Sequence, residues 1–196
     1  MILPIVAYGD PVLRKVGMDI DEAYPNLSEL LENMWETMYK ANGVGLAAPQ
    51  IGLAIRLFMV DTSPFADDED LSAEERKALS GFKKVFINAR INEEKGEEWP
   101  FNEGCLSIPD IREDIKRKDT ITISYLDERF KPFTKTFDGL LARVIQHEYD
   151  HIEGILFIDK VSLLKKRLLK SRLKNISQGK IVVDYRMRFP ELKKAR

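Results

Sequence analysis

Both histidines of this 196-residue chain lie in one pentapeptide, His147-Glu148-Tyr149-Asp150-His151. Residues four apart on a helix are neighbours on one face, so the two imidazoles can converge on one metal ion with the Glu148 carboxylate beside them. That pattern suits hydrolysis. A bound ion lowers the pKa of a water toward about 7, and an adjacent carboxylate takes the proton and later gives it to a leaving amine. Such a site needs a third protein ligand and an open fourth position. The only thiol of the chain, Cys105 in Glu103-Gly104-Cys105-Leu106-Ser107, is the first candidate. Thiolate plus two imidazoles is an open-site ligand set, and Gly104 permits close approach. A downstream carboxylate is the competitor. Glu153 stands too near His151 on the same helix, which leaves Glu191, the only acid beyond Asp184. Charge developing on an attacked carbonyl oxygen also needs donors. The segment Gly43-Val44-Gly45-Leu46-Ala47-Ala48-Pro49-Gln50 offers backbone N–H groups and the Gln50 amide.

These groups must be positioned by secondary structure. Leu140, Leu141, Val144, Ile145, His147, Glu148, His151 and Ile152 recur at helical spacing between Asp138, the expected N-cap, and Gly154, the expected stop. An earlier helix carries Leu27, Leu30, Leu31, Met34, Trp35 and Met38 on one face. Asn26 is its expected cap, with Glu29 at the capping-box position and Asn42-Gly43 at its end. Strands are expected at Ile55–Val60, Lys84–Ile87, Thr120–Tyr125 and Phe133–Phe137, the alternation at 121–125 suiting an antiparallel sheet with one buried face. A third helix is expected from Ser162 to about Asn175 with Leu164, Leu168 and Ile176 toward the core, followed by a last strand at Lys180–Tyr185. Residues 62–80 carry six acids and read as a surface excursion with one helical turn after Ser72. The fold class expected is α+β: antiparallel strands packed around a central helix carrying HExxH, with a basic C-terminal helix and a terminal strand.

The length and the 44% apolar content fit one domain spanning 1–196, without a linker or repeat. One cysteine excludes an internal disulfide, so a reducing compartment, the cytoplasm, is expected. No apolar run approaches the roughly 18 residues of a membrane span, and Met1-Ile2-Leu3-Pro4 lacks the features of a signal peptide. The net charge of −1 conceals +10 on residues 161–196 and −11 on the remainder. Six cations fall between Lys165 and Lys174. They form either a solvated helix face or a salt-sensitive contact with nucleic-acid phosphates.

Three segments together resemble the peptide deformylases, which remove the formyl group from the N-terminal methionine of new bacterial polypeptides. They are Gly43–Gln50, Glu103–Ser107 and Gln146-His147-Glu148-Tyr149-Asp150-His151. The resemblance implies Cys105, His147 and His151 as metal ligands, Glu148 as acid and base, and Gln50 with the Leu106 backbone N–H as oxyanion donors. It implies Fe²⁺, with Zn²⁺, Ni²⁺ or Co²⁺ able to substitute. The methionine pocket is expected to be walled by Val44, Leu140 and Val144, with Gly45 meeting the peptide backbone. Glu103 and Arg117 are expected as a supporting ion pair. Arg143, one turn before His147, stands where an apolar pocket residue is more usual. N-formyl-methionyl nascent peptides are the expected substrates, the ribosome an expected partner, and the enzyme an expected monomer without a membrane. Two other readings start from the same residues. A zincin-type endopeptidase would rest on HExxH alone, and a ribosome-binding protein with a closed structural metal site would need a fourth protein ligand.

Overall fold

The β-branched and aromatic runs pair into one antiparallel sheet, and the helices cover it to give an α+β fold. The computed structural model describes residues 1–69 and 71–190. Asp70 and the alternative ligand Glu191 lie outside the described residues. Five strands follow the order β2-β3-β4-β5-β6: β2 Gly45–Ala47, β3 Leu57–Asp61, β4 Lys83–Cys105, β5 Ile108–Leu126 and β6 Pro132–Asp138. A separate parallel pair joins β1, Ile5–Val6, to β7, Met187–Arg188. The helices are α1 Leu27–Lys40, α2 Ala73–Leu79, α3 Gly139–Ile152 and α4 Leu163–Ser177.

The four expected strand segments all fall in the sheet, with bounds differing at their ends. The alternation at 121–125 resolves as read: Ile121, Ile123 and Tyr125 are buried. Thr122 and Ser124 face outward and exchange hydroxyl hydrogen bonds with Thr136 and Thr134 of β6 at 3.0 and 2.8 Å. On the buried face, Phe58, Phe86, Ile121 and Ile123 form one apolar cluster with Ala142, Val144, Ile145 and Ile152 of α3. That cluster seats the helix on the sheet. β4 and β5 form a long hairpin that closes where Cys105 pairs with Ile108, so Leu106-Ser107 is a two-residue turn.

Several sequence expectations are corrected. Asn26 adopts a left-handed conformation (φ 54°) and its side chain makes no capping bond. A capping side chain must approach the N2 or N3 amide from an extended residue, which φ 54° does not provide. Asp138 also makes no capping bond, because Gly139 follows at φ 53° and turns the chain away. Residues 62–80 contain a 3₁₀ turn, Ser63–Asp67, and the seven-residue α2 rather than a single turn. The helix is started by a reciprocal box in which Glu75 N–H donates to Ser72 Oγ (3.2 Å) and Ser72 N–H to Glu75 Oε2 (2.9 Å). In α4 the buried stripe is Leu169, Leu173 and Ile176, whereas Leu164 and Leu168 are 67% and 71% exposed. The apolar positions at i, i+4 and i+7 start one residue later than the expected stripe, which rotates Leu164 and Leu168 into solvent. Finally, Lys180–Tyr185 forms no strand; the terminal strand is β7. Strand propensity is realised only where a backbone partner exists, and β1 offers its edge to residues 187 and 188.

Candidate metal centre

α3 is buried along most of its length, with Arg143, Gln146, His147, Glu148, Asp150 and His151 among its buried residues. Buried polar groups at this density require partners, and most have them. Cys105 ends β4 immediately before the two-residue turn, which brings its sulfur to the histidine face of α3. Sγ lies 3.3 Å from His151 Nε2. The ligand atoms of Cys105, His147 and His151 all fall within 4.8 Å of one another. A tetrahedral thiolate and imidazole set has edges of about 3.5 Å, so the donor set fits a single ion. Glu103 engages Nδ1 of His147, leaving Nε2 for that purpose. Glu148 Oε2 is buried without a partner.

Gln50 belongs to the 3₁₀ turn Ala48–Ile51 and is 1% exposed. Its Oε1 accepts from Ala47 N–H at 2.8 Å, which directs Nε2 toward Cys105 Sγ at 3.5 Å. Gly45, in β2, lies against the Glu148 carboxylate: a Cβ there would sit 2.7 Å from Glu148 Cγ and Cδ. The close approach that the small residues of 43–50 permit is therefore to Glu148.

Glu103 is the hub behind the ligands. It accepts from Arg117 Nε (2.7 Å) and Nη2 (2.9 Å) and from Arg143 Nη1 (3.1 Å), and meets His147 Nδ1 at 2.9 Å. Arg117 Nη1 donates in turn to Asp150 Oδ2 at 2.6 Å. Two guanidinium charges thus face two carboxylates, which is what a buried ionic cluster requires. Arg143 is 1% exposed, donates to the Ile115 and Trp99 carbonyls at 2.9 and 2.6 Å, and stacks over the Trp99 ring. Its charge is spent on Glu103 and backbone.

The titrations follow from these contacts. Burial opposes charge on Glu103, yet Arg117 and His147 hold its carboxyl far below the usual carboxylate range. Burial likewise opposes charge on His147, but its bonds to Cys105 and Glu103 raise it to about 10. His151 is driven well below its ordinary value by burial and then by the His147 charge. Burial pushes Glu148 up to about 7, near the pH at which a proton carrier works best.

Glu103 yields a pH prediction. Its folded value lies below its unfolded value, so its stabilisation is complete above about pH 4.5 and is lost as pH falls further. Glu103→Gln should therefore lower the urea midpoint at pH 6, and the difference from wild type should shrink as pH drops from 4.5 to 3. A gap that stayed constant over that range would show that the carboxylate charge is not what stabilises.

A cavity of about 820 Å³ opens onto these groups. Val44, Gly45, Gln50, Glu103, Cys105, Leu106, Val144, His147 and Glu148 line it, and so do Phe65 and Tyr185. Of the residues expected around a methionine side chain, Val44 and Val144 are on the wall and Leu140 is not. Leu140 sits in the first turn of α3, half-buried, beside the left-handed Gly139. Phe65 falls in an acidic segment and Tyr185 in a run of strand-like composition; neither position carries a sequence signal for a pocket.

A model of the family described as polypeptide deformylase matches residues 2–167. The peptide deformylase of Flavobacterium johnsoniae is 66% identical over 196 residues, covering all of both chains. That of Christiangramia forsetii is also 66% identical over the whole of both. Among solved structures, a peptide deformylase from Legionella pneumophila superposes with a TM-score of 0.77 at 36% identity, covering 92% of this chain and 98% of that one.

Proposed function

Given that the chain belongs to the peptide deformylase family and carries its metal-dependent deformylation of N-formyl-methionyl polypeptides, we propose how its residues divide that reaction. Cys105, His147 and His151 hold the ion; the observation that carries this is the convergence of their ligand atoms within 4.8 Å. When bound, the ion supplies a water acidic enough to act as a nucleophile near neutral pH. Glu148 accepts the proton at the carboxylate oxygen left without a partner and delivers it to the leaving amine. Gln50 Nε2 and the Leu106 N–H donate to the carbonyl oxygen as charge grows on it. Val44, Val144 and Phe65 wall the methionine side chain, and the Gly45 backbone aligns the peptide. Glu103, held by Arg117 and Arg143, orients the His147 ring.

The ion is taken as Fe²⁺, with Zn²⁺, Ni²⁺ and Co²⁺ as substitutes, since the thiolate and imidazole set accommodates all four. Protein purified without oxygen should contain about one iron per chain and release formate from a short formyl-Met peptide, losing both on exposure to air. Zinc as the dominant ion in active anaerobic protein would overturn the iron assignment.

The chain is further read as one catalytic domain, 1–196, with α3 as its central helix, working as a monomer in the cytoplasm. The lone thiol suits a reducing compartment. A light-scattering mass of twice 22.6 kDa would remove the monomer. Among the described residues no helix is long and apolar enough to cross a membrane. Contact with the ribosome through α4 is supported by the basic charge of 161–196 and by Leu163, Leu164 and Leu168, which stand exposed beside its cations. Cosedimentation with ribosomes should be strong at low salt and weaken steeply as salt rises. Binding indifferent to salt would contradict a phosphate contact.

A further inference from the structure

The turn that follows Cys105 is gripped by both ends of the chain. Tyr185 Oη donates to the Leu106 carbonyl at 2.8 Å. Tyr8 N–H donates to the Ser107 carbonyl, also at 2.8 Å. Tyr8 follows β1 and Tyr185 precedes β7, and the two strands pair with Ile5 opposite Met187. Ile5 N–H donates to the Arg186 carbonyl at 2.8 Å and Ala7 N–H to the Arg188 carbonyl at 2.9 Å. Both grips therefore belong to one small parallel unit, and its C-terminal half lies beyond residues 2–167 that the family model matches.

The turn has little other freedom. Leu106 Cδ1 packs so closely on Gly43 that a Cβ there would be 2.9 Å away. With its side chain seated and both turn carbonyls engaged, the dihedrals of Leu106 are fixed. Those dihedrals aim its N–H. Tyr185 lines the same cavity as Glu148, so its hydroxyl acts from within the site.

We propose that Tyr185 is a positioning residue for deformylation: by holding the Leu106 carbonyl, its hydroxyl keeps the Leu106 N–H trained on the oxyanion. This rests on the reading of Gln50 and Leu106 as the oxyanion donors. Donor alignment matters to the transition state more than to the bound substrate, so its loss reduces kcat and spares KM.

The test removes one oxygen atom, with Tyr185→Phe in the full, metal-loaded chain. The expected result is a kcat lower by about tenfold with KM within about twofold, the scale of one hydrogen bond. Metal content should match wild type, and the melting temperature should fall by no more than a few degrees. In the Co²⁺-loaded protein the thiolate charge-transfer band should shift, because Cys105 adjoins the loosened turn. An unchanged kcat overturns the proposal, and so does a loss that follows a lowered metal content. Gln50→Ala separates the two levels. If it keeps full activity, the oxyanion reading itself falls. If it is impaired while Tyr185→Phe behaves as wild type, only the role of Tyr185 is lost.

Discussion

Glu148→Gln should leave a protein that binds its metal and substrate yet turns over about two to four orders of magnitude more slowly. The amide is nearly isosteric, so the tight fit against Gly45 survives. What it lacks is the ability to take a proton and return it, and a positioned acid and base contributes roughly 10²–10⁴. Glu148 is buried, its neighbours His147 and His151 stay in place, and its Oε2 has no protein partner whose loss would disturb the fold. Metal analysis, an equilibrium binding measurement and a formate assay on the same preparation check all three parts. Full activity in the variant would end the account of proton transfer given above.

The second large effect is steric. Gly45→Ala places a methyl group 2.7 Å from Glu148 Cγ and Cδ, well inside contact distance. Glu148 cannot retreat easily, since α3 is packed into the sheet by Ala142, Ile145 and Ile152. The carboxylate must therefore rotate away from the ligand face, or β2 must shift. A displacement of about 1 Å at a catalytic group costs on the order of a hundredfold in rate. The expectation is a kcat lower by about that factor, with the metal retained through Cys105, His147 and His151. Combining Gly45→Ala with Glu148→Gln should add little to Glu148→Gln alone, because both act through one carboxylate. Fully multiplicative losses would mean that the methyl acts through the peptide-aligning backbone of Gly45 and not through the Glu148 carboxylate.

The site was legible where chemistry demanded particular residue types at short range. Two histidines four apart with a glutamate between them declare a helix face, and a lone thiol beside a glycine is a natural third ligand. The same holds for the 121–125 strand, whose alternation states its buried face. Tertiary partners were the illegible part. Nothing near Arg143 in sequence announces that Glu103, forty residues away, shares its charge, or that Trp99 stacks on it. Asn26 carried the right side chain for a cap in the wrong backbone conformation. The α4 stripe failed because leucines occupy both faces of that helix, and only packing into the apolar cluster that also holds Ile111, Phe157 and Ile158 decides which one is covered. Phe65 and Tyr185 reach the cavity through segments that local pattern describes merely as loop or strand.

The pairing of β1 with β7 sets an order of assembly. A chain leaves the ribosome with its amino end first, so β1 must wait until Met187 and Arg188 have been made before it finds its neighbour. The entropy of closing so large a loop grows only logarithmically with length, but the sequence of events is fixed. Sheet and α3 are synthesised well before the last strand arrives. The enzyme that trims newborn polypeptides therefore completes the grip on the turn next to its own thiol only after Tyr185 and β7 have been made, and a molecule cut short after α4 would lack that grip.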